Sequence, residues 1–242
     1  MNNKNVFKRS AAVLGLVTLA AGMAFATSAS APAVSPDEAL QMLMDGNQRY
    51  VDNQTTGAKL CDLSTRTSLA KSQHPYAIIL SCSDSRVPPE ILFDKGLGEI
   101  FVIRVAGNVP DSVVLGSIEY AAEHLGSTLV MVLGHERCGA VTATVDAKGK
   151  STGSPNIDAI VKAIAPNIKA ATRDCEVCKG DKKCAETRKS EFVECLIDTN
   201  AKTVAANLTK KSKILNHLLH EKKIKIVAAK YDLDDGKVTL FK

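Results

Sequence analysis

Two short stretches of this chain hold more reactive side chains than a fold alone requires. The first, SCSDSRVPPE at residues 81–90, puts a thiol, a carboxylate and a guanidinium at alternate positions directly after an apolar run. If the chain stays extended there, Cys82, Asp84 and Arg86 point to one side. The second, GHERCG at residues 134–139, follows another apolar run and spaces His135 and Cys138 three residues apart. That interval places two side chains on one face of a starting helix turn, and a helix N-terminus favours the thiolate form of Cys138. Two thiolates and an imidazole are suitable zinc ligands. Three protein ligands leave a fourth tetrahedral position for water or substrate, the mark of a catalytic rather than a structural site. Two thiolates also cancel the charge of the dication, so its water is acidified less than beside three neutral imidazoles. A neighbouring group then has to help manage the proton, and Asp84, held by Arg86 in a bidentate pair, is the candidate. Taken singly, each feature is ordinary: a cysteine after a strand is a small core residue, and an Asp–Arg pair is a surface salt bridge of little weight. Their joint placement at two strand ends is what points to chemistry.

The elements that must position them read as an alternation. YAIILSC (76–82), EIFVIRVA (99–106), TLVMVLG (128–134) and IKIVAAKYDL (224–233) are continuous apolar runs that fit buried strands. Helical patterns lie between them at 111–125, 137–147, 156–171 and about 185–221. A capped helix precedes them at 35–53, opened by Ser35, Pro36 and Glu38. Residues 54–63 read as a loop and 64–72 as a short helix. DLDDGKVTLF (232–241) reads as a hairpin turning on Asp235-Gly236. The pattern predicts an α/β fold: a mostly parallel sheet flanked by helices, with an antiparallel edge strand. In such sheets functional groups gather beyond the carboxyl ends of the strands.

Lys4, Lys8 and Arg9 precede an apolar segment at 11–25, and three A-x-A sites follow it, which is the pattern of a secretory signal. Residues 1–33 are therefore expected to be a signal peptide and 34–242 one catalytic domain, exported to the periplasm or secreted, with no stable membrane insertion after signal removal. The leader carries three of the positive charges and no negative ones, so the formal net charge falls from +5 to +2. A nucleic-acid partner has little to rest on. Seven cysteines cannot all pair within one chain. Four of them, Cys175, Cys178, Cys184 and Cys195, sit in a Lys-rich excursion at about 172–195. In an oxidising compartment two disulfides are expected there, with three pairings open. A structural zinc with four thiolates is the alternative. Haem attachment needs a histidine where Lys179 stands. Cys61 is left over, either buried or linking subunits. Gly96-x-Gly98 precedes a strand rather than opening a helix, so it is not a dinucleotide loop.

CSDSRV at 82–87, RVAGN at 104–108 and GHERCGAV at 134–141, in this order and context, closely resemble the β-class carbonic anhydrases. The resemblance is specific over roughly residues 35–145 and weaker beyond. It implies reversible hydration of CO₂ to bicarbonate and a proton, with one Zn²⁺ per chain held by Cys82, His135 and Cys138. It implies Asp84 and Arg86 as the paired acid–base and gating residues; from the site itself, Asp84 is expected to take the fourth zinc position when hydroxide is scarce, at low pH. Gln73, Phe101, Tyr120 and Gly139 match substrate-pocket residues, the tyrosine supplied by a neighbouring subunit. It also implies a homodimer or a dimer of dimers. Where an allosterically gated subgroup has a tryptophan three residues before the first cysteine, this chain has Ile79 and no Trp anywhere, although Arg104 matches the arginine of that second bicarbonate pocket. Two other readings stand beside this one: a same-fold hydrolase of CS₂ or COS, and a secreted thiol redox or metal-binding module working through Cys175-x-x-Cys178.

Overall fold

Four apolar runs form the parallel part of a five-stranded sheet, and a short fifth strand closes one edge. The structure, a computed structural model, describes residues 34–57, 61–179, 181 and 183–242. The expected leader at 1–33 lies outside the described residues. In chain order the elements are α1 (Pro36–Val51), α2 (Leu63–Leu69), β1 (Ala77–Ser81), α3 (Pro89–Leu92), β2 (Ile100–Arg104), α4 (Ser112–His124), β3 (Leu129–His135) and α5 (Gly139–Ala147). There follow α6 (Pro155–Ile164), α7 (Ile168–Asp174), α8 (Cys184–Thr187), α9 (Lys189–Lys211), α10 (Lys213–His220), β4 (Lys225–Tyr231) and β5 (Val238–Leu240).

The strand order is β2-β1-β3-β4-β5, parallel from β2 to β4, with β5 antiparallel to β4. β1 and β3 are buried along their whole length, which is why they read as unbroken apolar runs rather than alternating ones. Alternation still sorts their side chains. Ala77, Ile79, Leu129, Met131 and Leu133 face a core shared with α1, α5, α6 and the first half of α9. Ile78, Leu80, Val130 and Val132 face one shared with α4, α10 and the second half of α9. α1 is tied down by buried Asn47, whose amide donates to the carbonyls of Leu92 and Gly236 and accepts from the Val238 N–H. Among the described residues no helix is long and apolar enough to cross a membrane.

Three sequence expectations need correction. The helix expected at 156–171 is interrupted by a 3₁₀ turn at Ala165–Asn167, where Pro166 has no N–H to continue the ladder. The helix expected at about 185–221 is three helices. Ser212 ends α9 in an extended conformation and its hydroxyl caps α10 through the Leu215 N–H. α3 was not anticipated at all. It fills the short span between the Cys82 loop and β2, started by Pro89 at its first turn.

The cysteine-rich excursion is closed by two disulfides, Cys175–Cys195 and Cys178–Cys184. The first joins the end of α7 to α9. The four-thiolate zinc alternative is excluded by this pairing. Cys175 and Cys178 take different partners, so they do not form a C-x-x-C bridge.

Candidate metal centre

Register decides what meets at the top of the sheet. Ser81, the last residue of β1, lies opposite Leu133 of β3 and Arg104 of β2. Cys82 therefore emerges one step beyond β1 beside the last two residues of β3, of which the second is His135. The chain then turns through Glu136 and Arg137, the latter in the left-handed region at φ 52°, and returns Cys138 as the N-cap of α5. The sequence expectation of a helix turn spanning His135 and Cys138 is corrected: one residue closes a strand and the other precedes a helix.

The three donors converge. Cys82, His135 and Cys138 are 5%, 1% and 1% exposed, and their ligand atoms all lie within 4.8 Å of one another. The two Sγ atoms are 4.0 Å apart. A tetrahedral zinc with bonds of about 2.3 Å to sulfur holds its two sulfurs about 3.8 Å apart. His135 Nδ1–H donates to the Glu136 carbonyl at 2.8 Å, which leaves the Nε2 lone pair facing the thiols. That Nε2 is buried and has no hydrogen-bond partner. A buried acceptor without a partner beside two thiols is what a metal ligand looks like without its metal. The donor set fits zinc.

The Cys138 thiol donates to Cys82 and lowers its pKa, against the opposing effect of burial, and the Gly107 N–H adds to the lowering. Cys138 is pushed up by the Cys82 sulfur and by burial. The expected help from the helix N-terminus is present, through the Val141 and Ala140 N–H groups, but it is outweighed.

The carboxylate and guanidinium reach each other by a turn rather than by extension. Val87 N–H returns to the Asp84 carbonyl and Arg86 N–H to Asp84 Oδ1. This folds the arginine back, so that Nε meets Oδ1 at 2.9 Å and Nη2 meets Oδ2 at 2.7 Å. The Arg86 guanidinium holds the Asp84 carboxyl well below the usual carboxylate range, although partial burial opposes it. Asp84 Oδ2 stands 4.0 Å from His135 Nε2. An ionised carboxylate is thus parked at the lip of the three-donor site.

Sequence reasoning missed the groups that hold these loops. Arg104 donates from Nε to the Cys82 carbonyl at 3.0 Å and from Nη2 to the Asp84 carbonyl at 2.5 Å. It is committed to the Cys82–Asp84 backbone. Glu194 of α9 accepts the Arg137 N–H at 2.8 Å, and Arg137 pairs with Asp234. Gly107, left-handed at φ 70°, donates its N–H to Cys82 Sγ at 3.4 Å. A Cβ there would sit 2.8 Å from Ile164 Cδ1. The available signal was the RVAGN stretch at 104–108, which holds both Arg104 and Gly107, three residues beyond the end of β2.

The expected pocket residues are spread more widely. Gly139 follows Cys138 directly and opens α5, and no atom of the described chain would touch a Cβ added there. Gln73 precedes β1, at the opposite end of the sheet from Cys82, in a surface recess with Leu69 and Leu97. Phe101 pairs with Ile78, four residues or about 13 Å along the strand from Cys82. Tyr120 is half-exposed on α4 and packs against His124 at the far end of that helix. A single chain does not bring these three to the thiols.

Fold and donor set together define an α/β protein with a three-donor cation site at the carboxyl ends of its strands. The carbonic anhydrase family profile matches residues 77–238. "Carbonic anhydrase 2" of Mycobacterium tuberculosis is 36% identical over 210 residues, covering 86% of this chain and 94% of that protein. A carbonic anhydrase of Mycolicibacterium smegmatis is 37% identical over 210 residues, covering 86% and 95%. Among solved structures, the Coccomyxa β-carbonic anhydrase in complex with acetazolamide superposes with a TM-score of 0.62 at 25% identity, covering 84% of this chain and 86% of that one. The chain belongs to the β-carbonic anhydrase family.

Proposed function

We propose that this chain catalyses the reversible hydration of CO₂ to bicarbonate and a proton, with one zinc held by Cys82 Sγ, His135 Nε2 and Cys138 Sγ. The observation that carries the reading is the buried convergence of two sulfurs and one orphaned imidazole nitrogen. Zinc in this site supplies the Lewis acidity that makes water a nucleophile near neutral pH. The protein's own part is to place the base. Arg86 keeps Asp84 ionised and fixes both its oxygens, so the carboxylate is an acceptor for the proton that the reaction releases.

We also infer a second copy of the chain as partner. β2 is an edge strand of five residues, Ile100–Arg104, none of them fully buried, and four of them are apolar. An uncovered edge of that composition is a template for association. Phe101 on β2, Tyr120 on α4 and Gln73 lie away from the thiols of their own chain, and a neighbouring subunit that supplies them would complete the pocket. Two disulfides and the charged, then apolar N-terminal segment support export to an oxidising compartment.

The test is stopped-flow CO₂ hydration on the purified protein, with zinc counted in the same sample. One zinc per chain with hydration activity is expected, and Cys82→Ala should lose both. A fully active, zinc-free protein would overturn the assignment.

A further inference from the structure

A line of buried amides runs from the start of α7 through α9 to the first thiol. Asn200 lies in the middle of α9 and is 1% exposed; Asn167, ahead of α7, is 8% exposed. Asn200 Nδ2 donates to the Gly107 carbonyl at 3.0 Å, and Asn167 Nδ2 donates to Asn200 Oδ1 at 3.0 Å. The direction of this line is forced. A carbonyl can only accept, so the Asn200 edge that faces Gly107 has to be the N–H edge. Its oxygen then faces Asn167, which has to donate. No swap of nitrogen for oxygen in either amide keeps both bonds.

Gly107 converts that line into a constraint on the thiol. Its left-handed backbone turns its carbonyl to Asn200 while its N–H faces Cys82 Sγ at 3.4 Å. Another residue type would meet Ile164 Cδ1 at 2.8 Å and Ala140 Cβ at 3.2 Å. Packing against Ile164 and Ala140 confines the Gly107 Cα, and the buried amide pins the Gly107–Asn108 peptide unit that follows it, so the orientation of the preceding unit, which carries the donor N–H, is set across one residue. Groups that hydrogen-bond to a metal ligand fix its rotamer and its basicity, and their loss typically costs tenfold to a hundredfold in metal affinity.

We propose that Asn200, oriented by Asn167, is a positioning residue of the metal centre: by holding the Gly107 carbonyl it fixes the left-handed backbone of Gly107, and so the direction in which the Gly107 N–H meets Cys82 Sγ. The proposal rests on the reading of Cys82 as a zinc ligand and names a part of the machinery 118 residues away from it in sequence. Neither asparagine touches the ligands.

The experiment is zinc competition against a chelator at equilibrium, run on the full chain and on Asn200→Leu, Asn200→Asp and Asn167→Leu. Asn200→Asp keeps the acceptor for Asn167 and sets an oxygen against the Gly107 carbonyl. Both Asn200 variants should bind zinc tenfold to a hundredfold more weakly, and Asn167→Leu should weaken it in the same direction by less. The cobalt-loaded proteins should show a changed thiolate-to-metal charge-transfer band, which a loss of general stability does not produce. Thermal unfolding of the metal-free proteins is measured alongside. Variants that lose thermal stability while zinc affinity stays within twofold and the cobalt band is unmoved overturn the proposal. If the Asn200 variants do not fold, an unchanged affinity and band in Asn167→Leu overturns it equally. A native chain that binds no zinc through Cys82 sinks the underlying reading instead, so the two failures are distinct.

Discussion

Replacing Cys175 and Cys195 together by alanine cuts the bridge between α7 and α9 and leaves Cys178–Cys184 in place. The bridged residues are 20 apart in sequence. In the chain-entropy model a loop of about 20 residues loses about 11 cal/mol/K in the unfolded chain, or about 3 kcal/mol at 25 °C. The inner bridge shortens the effective loop by a few residues, and the logarithm absorbs that change. For a domain of this size about 3 kcal/mol corresponds to a Tm lower by about 6–12 °C. Zinc content should not follow. α9 is also fixed by Phe192, Leu196, Ile197, Ala201 and Leu208, all buried, so Glu194 and Asn200 stay in place below the unfolding transition. The assay is guanidinium unfolding of the non-reduced protein and its double variant, with metal counted in both at 25 °C. A stability difference under about 1 kcal/mol refutes the loop argument. Loss of zinc at unchanged stability refutes the claim that the sheet contacts alone seat α9.

Asp84→Asn should lower kcat for CO₂ hydration at neutral pH by about 10²-fold, the low end for loss of a general base, and leave zinc stoichiometry unchanged; stopped-flow and metal analysis read the two. Arg104→Lys should cost about 2 kcal/mol in denaturant unfolding, because an ammonium cannot span the Cys82 and Asp84 carbonyls as the guanidinium does and one charged hydrogen bond is lost. Asp94 is a pH probe. Burial raises its pKa, but Arg49 at 2.5 Å, the backbone N–H groups of Gly57 and Thr56 and the Thr56 hydroxyl more than reverse this. A folded-state value below the unfolded one means that its stabilisation is complete above the ordinary aspartate range near pH 4 and is lost as pH falls below it. Thermal melts from pH 6 to 3 should therefore drop less steeply in Asp94→Asn than in the native chain.

Much of the sheet was legible because burial on both faces leaves a plain signature, an unbroken apolar run, in β1 and β3. The donors were legible for a related reason: Cys82 and His135 stand at the ends of those runs, where an apolar strand has no use for them. What the sequence hid is what depends on partners far along the chain. Ser212 looks like any helical serine until its hydroxyl is seen capping α10. The turn at Ser85-Arg86 replaced an extended segment because the Asp84 side chain accepts the Arg86 N–H, a local bond that competes with strand geometry. Disulfide pairing among four cysteines followed from α7 packing on α9, which no spacing reveals. Gln73, Phe101 and Tyr120 match a pocket in sequence and do not form one within a single chain.

The elements that grip the site give it an order of dependence. Each donor-bearing loop is held by its backbone from elsewhere: Cys82 and Asp84 by Arg104 of β2, the His135–Cys138 turn by Glu194 of α9, and Gly107 by Asn200 of α9. α9 lies against β3 and β4, inside the sheet's own packing. β2 is different, since among the described residues it pairs with a strand on one side alone, and Arg104 is its last residue. Two of the three grips are therefore secured by the folding of one chain, while the third hangs from a strand with one free side. In the proposed assembly a second copy on that edge is expected to stiffen β2 and, through Arg104, the loop that carries Cys82, Asp84 and Arg86. If that assembly forms, Arg104 is the residue at which it meets the site, since its guanidinium binds the Cys82 and Asp84 carbonyls.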